Sequence, residues 1–229
     1  MTTAERDLRG WAGPAAGLSF IAGVGGAAAR ASDPYPRPWA TVPEVQRYFT
    51  NNRAAARTSV AGQLVSAAAL SVFSTMVFRT SAHDPARVRA GRAAGALAAA
   101  SLALSATCSL LLTTAHGRDS DTARRLHRLG FALGGPIHTV SFGVLVGTLE
   151  IEISGPDAPE RVLRTASLVA AATGALSPLY YVARPFGVLI VASRLTGLGA
   201  IAATGVRLAT SERSSHAAPA RQERRPDDG

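Results

Sequence analysis

Arg194 is the residue most at odds with its surroundings. It stands nine residues into Pro185–Val206, an otherwise uncharged segment, roughly 13 Å of helical rise from its start. If that segment crosses a bilayer, a guanidinium at this depth costs about 2.5–3.5 kcal/mol on insertion scales and has to face a bundle interior, water or a partner. No Asp or Glu lies inside any of the long apolar segments to neutralise it. Two readings follow. Arg194 is an internal cation that binds an anionic ligand or a buried acid, or it reaches the nearer surface or carbonyls freed by a proline kink.

His138 is centred in Leu129–Leu149 and follows Gly134-Gly135-Pro136. Proline there removes one helical hydrogen bond and frees the Ala132 carbonyl, which opens a polar notch. A similar notch is expected where Pro178 follows Ser177 and precedes Tyr180 and Tyr181. Together these predict a ligand pocket lined by Arg194, His138, Thr139, Ser141, Ser177 and Tyr180. The plainer reading of His138 is a hydrogen bond to a neighbouring helix. For acid–base chemistry the candidates are His138, Glu150 and Tyr180. Glu150 and Glu152 would sit about 200° apart on a helix, a poor geometry for paired carboxylates, although burial of one would raise its pKa and make it a proton donor.

Metal and cofactor chemistry is not expected. One histidine at mid-depth cannot hold a metal alone, and no second one stands at mid-depth in a span for bis-histidine haem. Cys108 is the single cysteine and lies in the third apolar segment, so neither an internal disulfide nor a cysteine zinc cluster can form.

The elements that would position these residues are six stretches close to the length of a bilayer crossing, Gly10–Ala29, Thr58–Phe78, Ala93–Gly117, Leu129–Leu149, Thr165–Ala183 and Pro185–Val206. A spanning helix needs about 20 mostly apolar residues. Backbone groups cannot be left unpaired in hydrocarbon, so the expected fold is all-α, a polytopic bundle of six transmembrane helices. Residues 1–9 read as an N-terminal tail, 10–207 as the membrane domain and 208–229 as a disordered polar tail. Mean hydropathy is only +0.16 because the charges gather at segment ends. Alanine and glycine fill the spans, which suits close helix contact in lipid. Gly13-x-x-x-Gly17 and Gly143-x-x-x-Gly147 are expected to serve contacts within the bundle. A signal peptide is the rival reading of Arg6, Arg9 and the first apolar run, but that run is long enough to cross and five more spans require insertion.

Connections carry helix punctuation. Asp84-Pro85 should cap and start the third span, Ser120 and Asp121 should begin the fourth outside the hydrocarbon, Gly155-Pro156 should close it, and Asp157 with Glu160 should cap the fifth. The longest connection, 30–57, begins with Asp33-Pro34-Tyr35-Pro36-Arg37-Pro38-Trp39, which proline holds extended. Thr41-Val42-Pro43-Glu44 then reads as a capping box, with Val42, Val45, Tyr48 and Phe49 on one side of a short interfacial helix. That helix is expected along the membrane surface, with Tyr35, Trp39 and Tyr48 at headgroup depth.

The net charge of +9 comes from 24 arginines and no lysine, scattered through every connection. No single basic face with interleaved aromatics forms, so nucleic acid is not the expected partner. The bilayer is, together with a hydrophobic or anionic small molecule. With six spans, thirteen arginines fall on the side of the termini and ten on the other, which favours a multi-pass protein of the cell membrane with cytoplasmic termini.

Three segments occur in a telling order: Pro43-Glu44-Val45-Gln46-Arg47-Tyr48-Phe49-Thr50-Asn51-Asn52-Arg53 before a span, Leu129-Gly130-Phe131-Ala132-Leu133-Gly134-Gly135-Pro136 opening the fourth, and Ser177-Pro178-Leu179-Tyr180-Tyr181 closing the fifth. In this the chain resembles a group of multi-span membrane proteins of GC-rich actinobacteria, from about Gly10 to Val206. The resemblance implies the six-span architecture and brings no activity. Arg194 departs from it, since the sixth span of that group is apolar.

Three function classes fit these residues: a binder or carrier of a small hydrophobic or anionic molecule, a membrane-embedded cyclase or isomerase acting on a prenyl, polyketide or lipid substrate, and an accessory or sensor subunit. The span count itself is directly testable. Glycosylation or cysteine reporters at Arg57, Ser81, Arg118, Pro156 and Arg184 should report alternating sides of the membrane, and two successive sites on one side would refute six crossings.

Overall fold

Asp84 shows how locally the helix boundaries are set. Its carboxylate accepts from the Ala86 N–H at 3.0 Å, and Pro85 fills the first helical position, where its missing N–H costs nothing. The fourth span begins at Ser120 as expected, capped by Asp119, which accepts from the Thr122 N–H at 2.8 Å. Both the N–H and the hydroxyl of Thr41 donate to Glu44 Oε2, at 2.7 and 2.8 Å, the Glu side of the expected capping box.

The computed structural model describes residues 3–79, 84–114, 119–149 and 158–216. Among these the chain forms α1 (Thr3–Arg30), α2 (Val42–Asn51), α3 (Arg53–Val77), α4 (Pro85–Leu112), α5 (Ser120–Ala132), α6 (His138–Leu149), α7 (Ala158–Leu176) and α8 (Gly187–His216), with no strand. A π-helical turn, Leu133–Ile137, joins α5 to α6 into one crossing. Six helices among the described residues are long and apolar enough to span a membrane, so the protein is a multi-pass α-helical membrane bundle. Gly155, Pro156 and Asp157 lie outside the described residues.

Three boundaries differ from those expected. α1 starts at Thr3, so most of the stretch read as an N-terminal tail is its first turns. The fifth span leaves α-helix at Leu176 and continues as a 3-10 turn through Tyr181, and the sixth opens on another at Arg184–Phe186, because Pro178 and Pro185 each lack the N–H a continuous α-helix would use. α8 continues past Val206 to His216. The start of the presumed disordered tail is therefore helical, since no proline or glycine interrupts it before Pro219.

The crossings close into a ring: α1 packs on α3, α3 on α4, α4 on α5 and α6, α6 on α7, α7 on α8, and α8 returns to α1. Small residues allow it. A Cβ on Gly13 would collide with the Ile201 carbonyl of α8, and one on Gly205 would come within 2.7 Å of the Gly10 carbonyl. On the other flank of α1, a Cβ on Gly23 would stand 2.7 Å from Gly62 Cα on α3. Gly143 meets Ala170 and Ala171 of α7 in the same way. Both glycine pairs noted in the sequence thus make contacts within the chain. Phe73, Leu102, Phe142, Leu145, Val146 and Ile201 fill the core.

The short helix after the strap forms as expected and packs on the bundle. Val45, Tyr48 and Phe49 of α2 are buried against Ala56, Leu112 and Ala123 of α3, α4 and α5. Its apolar side therefore covers the end of the bundle.

The α1–α3 contact is the most extensive in the ring. Gly62→Val should lower stability by about 1–3 kcal/mol through overpacking, read as a lower unfolding midpoint in detergent. Gly25→Val, at a position with nothing within 4 Å, should leave the midpoint nearly unchanged.

Candidate functional site

Alternation of the spans brings the end of α1, the start of α3, the end of α4, the start of α5 and the start of α8 to one end of the bundle. Between them lies a cavity of about 510 Å³, within the usual range of ligand sites. Its walls come from Phe20, Val24, Ala27 and Ala28 on α1, Ala56, Ser59 and Gln63 on α3, Leu102, Ser105 and Ser109 on α4, and Ile190 on α8. The kink supplies Gly130, Phe131, Gly134 and Gly135.

The roof is the proline-rich strap between α1 and α2. Tyr35, Tyr48 and Phe49 meet edge to face, with centroids 5.3 Å (Tyr35–Tyr48), 6.0 Å (Tyr35–Phe49) and 5.2 Å (Tyr48–Phe49) apart. Asn52 ties the strap to the α2–α3 junction: its Oδ1 accepts from the Ser32 N–H at 2.8 Å, and its Nδ2 donates to Asp33 at 3.2 Å. Farther along, His127 Nε2 donates to the Arg37 carbonyl at 2.9 Å, and the Arg184 guanidinium lies 4.5 Å from the centre of the Trp39 ring. The Tyr35 and Ser109 hydroxyls share a hydrogen bond, and burial of that end pushes the phenol up to about 12.

Arg194 forms the floor. It lines the cavity and also a small void beneath it, which it shares with His138, Phe142 and Ser66. Its guanidinium carbon stands 5.0 Å from the centre of the Phe20 ring, a cation–π contact. Nε is buried and makes no hydrogen bond, and among the described residues no carboxylate pairs with this side chain. In an apolar interior an unpartnered cation is costly, so an anion or water entering the cavity has an open donor set to meet.

His138 sits beside this floor, fully enclosed, stacked on Phe142 at 5.4 Å. Its Nδ1 lies 2.9 Å from the Ala98 carbonyl of α4. A carbonyl only accepts, so Nδ1 carries the proton. The helix-to-helix bond that the plainer reading foresees is therefore present, and proximity to Arg194 comes with it.

The other expected pocket residues are distributed differently. Thr139 donates to the Gly135 carbonyl at 2.7 Å, which also accepts from the His138 backbone N–H, and Ser141 donates to the carbonyls of Ile137 and His138. Ser177 is buried with no hydrogen-bond partner, but it does not line the cavity. Tyr180 stands behind the wall, stacked on Phe131 at 5.5 Å and tilted against Trp39 at 5.6 Å. Glu150, and Glu152 with it, lies outside the described residues. Among the described residues no group of His, Cys, Asp and Glu is arranged to hold a metal.

Residue-by-residue reading overlooked the hydroxyl and amide lining. A signal was there: Ser59 with Gln63, and Ser105 with Ser109, are each four apart, hence on one helical face. Gln63 Nε2 donates to Ser59 Oγ at 2.9 Å, and Ser105 donates to the Gly130 carbonyl at 2.7 Å.

Site and fold together define a membrane-embedded bundle with a roofed internal cavity over a buried cation. Searches of protein-family models, curated proteins and solved structures find no match for the chain.

The phenol makes the roof titratable. Because its folded-state pKa is raised, Tyr35 contributes fully below about pH 10, the ordinary tyrosine value, and its contribution is lost as pH rises through about 12. In an ultraviolet titration the wild-type minus Tyr35→Phe difference should show phenolate absorbance near the higher value; a transition at the ordinary one would mean that the hydroxyl is free in solvent.

Proposed function

We propose that the protein binds or carries a small hydrophobic or anionic molecule inside its helix bundle. The observation that supports this most directly is Arg194, a buried guanidinium without a carboxylate at the floor of a cavity large enough for a ligand. Ion pairs inside membranes mark substrate paths or binding sites because an intramembrane charge is too costly to keep without a role. Here the protein supplies one half of such a pair.

The enzymatic alternative draws less support, because His138 is committed to Ala98 through Nδ1 and Tyr180 lies outside the cavity wall. Membership in the actinobacterial group is proposed as well, on the order and spacing of its three segments. Two of them contribute to this cavity, through Tyr48 and Phe49 in its roof and Gly130 to Gly135 in its wall. Placement in the cell membrane with cytoplasmic termini is proposed from the arginine distribution alone.

Accessibility tests the reading. With Cys108 replaced by serine, Arg194→Cys should react with a water-soluble, anionic thiol reagent, and adding Ala28→Trp to fill the cavity should block that reaction. A cysteine at position 194 that reacts only with membrane-permeant reagents would place the side chain toward lipid and end the proposal.

A further inference from the structure

The charges and shape of the cavity narrow its ligand, provided that the binding role just proposed is right. Among the described residues, the only one besides Arg194 that lines the cavity and carries a full charge is Asp33 in the strap. Asp33 is engaged at the roof, accepting from Asn52 Nδ2 at 3.2 Å and Ser32 Oγ at 3.3 Å. From Phe20, which the guanidinium faces, to Arg30 at the end of α1 is ten residues, about 15 Å of rise. Over that depth the walls are mostly apolar, with Ser59 and Gln63 along one side.

We infer that the ligand is an amphipathic organic acid carrying one negative charge, held acid-first against Arg194 with its apolar body rising toward the aromatic roof. A guanidinium presents a planar fork of donors that matches a carboxylate in two parallel hydrogen bonds. Arg194 lines the cavity, and among the described residues no carboxylate occupies that fork. A single anionic group neutralises the site. A doubly charged group would leave one negative charge in a low-dielectric interior with no second cation among the described residues of the lining, an arrangement that desolvation penalises heavily. A neutral amphiphile would fill the apolar walls and leave the guanidinium unpaired.

Decanoate, decanol and decyl phosphate separate these cases. Each is measured for saturable binding to the full-length protein in lipid nanodiscs at about pH 8, where a phosphate monoester with its second pKa near 6 is dianionic, with empty discs subtracted. Decanoate should bind about 10- to 100-fold more tightly than decanol, the range expected of hydrogen bonds to a charged group, and more tightly than decyl phosphate. Arg194→Leu should reduce decanoate to the level of decanol while leaving decanol binding unchanged, which also shows that the variant is folded. Arg194→Lys, which keeps the charge and loses the fork, should fall between.

Equal binding of decanoate and decanol, insensitive to Arg194→Leu, would overturn the inference and leave a purely hydrophobic ligand for the cavity. Tighter binding of decyl phosphate would overturn the single charge while keeping the anionic reading. No saturable binding of any of the three would overturn both this inference and the function on which it rests.

Discussion

Helices in a bilayer gain nothing by hiding apolar surface from water, because lipid is as apolar as their own side chains; they associate where backbones can approach and polar groups can bond. This bundle depends on that constraint. α1 is clamped on both flanks by glycine contacts, to α3 through Gly23 and Gly62 and to α8 through Gly13 and Gly205. The same seams carry bonds from side chains to backbone carbonyls: Ser66 to Ala16 at 2.8 Å, Ser193 to Ala170 at 2.9 Å, Ser105 to Gly130 and His138 to Ala98. Each joins two neighbouring helices of the ring without water.

The closest α1–α8 contacts run from Gly10 with Ala209 to Gly17 with Leu198. Beyond them, residues from Phe20 to Ala28 of α1 and Ile190 and Arg194 of α8 line the cavity. The kink between α5 and α6 adds to the opening on the opposite wall. Pro136 has no N–H to give, Gly135 adopts φ −96° and ψ −110°, and Gly134 packs so closely on Ser105 that any side chain would collide with its hydroxyl. Arg194 sits where the tightly packed half of the bundle gives way to the open one, which is why one side chain borders both the cavity and the small void below it.

The strap gives this opening a cover. A proline-rich segment has little conformational freedom to lose on ordering, and here it is fixed by Asn52, His127, Ser109 and the Trp39–Arg184 contact. Its hold on both α1 and the α7–α8 turn means that the roof spans the mouth from one side of the ring to the other. Tyr35 is half exposed as a residue, yet its hydroxyl end is enclosed. The accessible surface therefore belongs to other parts of the residue.

Much of the architecture is legible in the sequence, because charge-free length, end caps and glycine spacing are local properties of a chain that must satisfy its backbone in lipid. The six spans, the Asp84 cap, the short helix after Thr41 and the close contacts at Gly13 and Gly143 all follow from residues within a few turns of one another. The cavity does not. Ser59 and Gln63 can be placed on one face of α3, but only the tertiary arrangement sets that face opposite Ile190 and Arg194. Tyr180 and Ser177 carry suitable chemistry, yet the 3-10 turns after Leu176 set them behind Phe131, and the apolar face of α2 turned to protein because the bundle end offered Ala56, Leu112 and Ala123 to cover. The chain alone places a cation at Arg194's depth and leaves open whether it turns inward or reaches the nearer surface. What that cation faces was decided by the packing of helices far apart in the chain, since a side chain's partners inside a membrane depend on which backbones come close enough to exclude lipid.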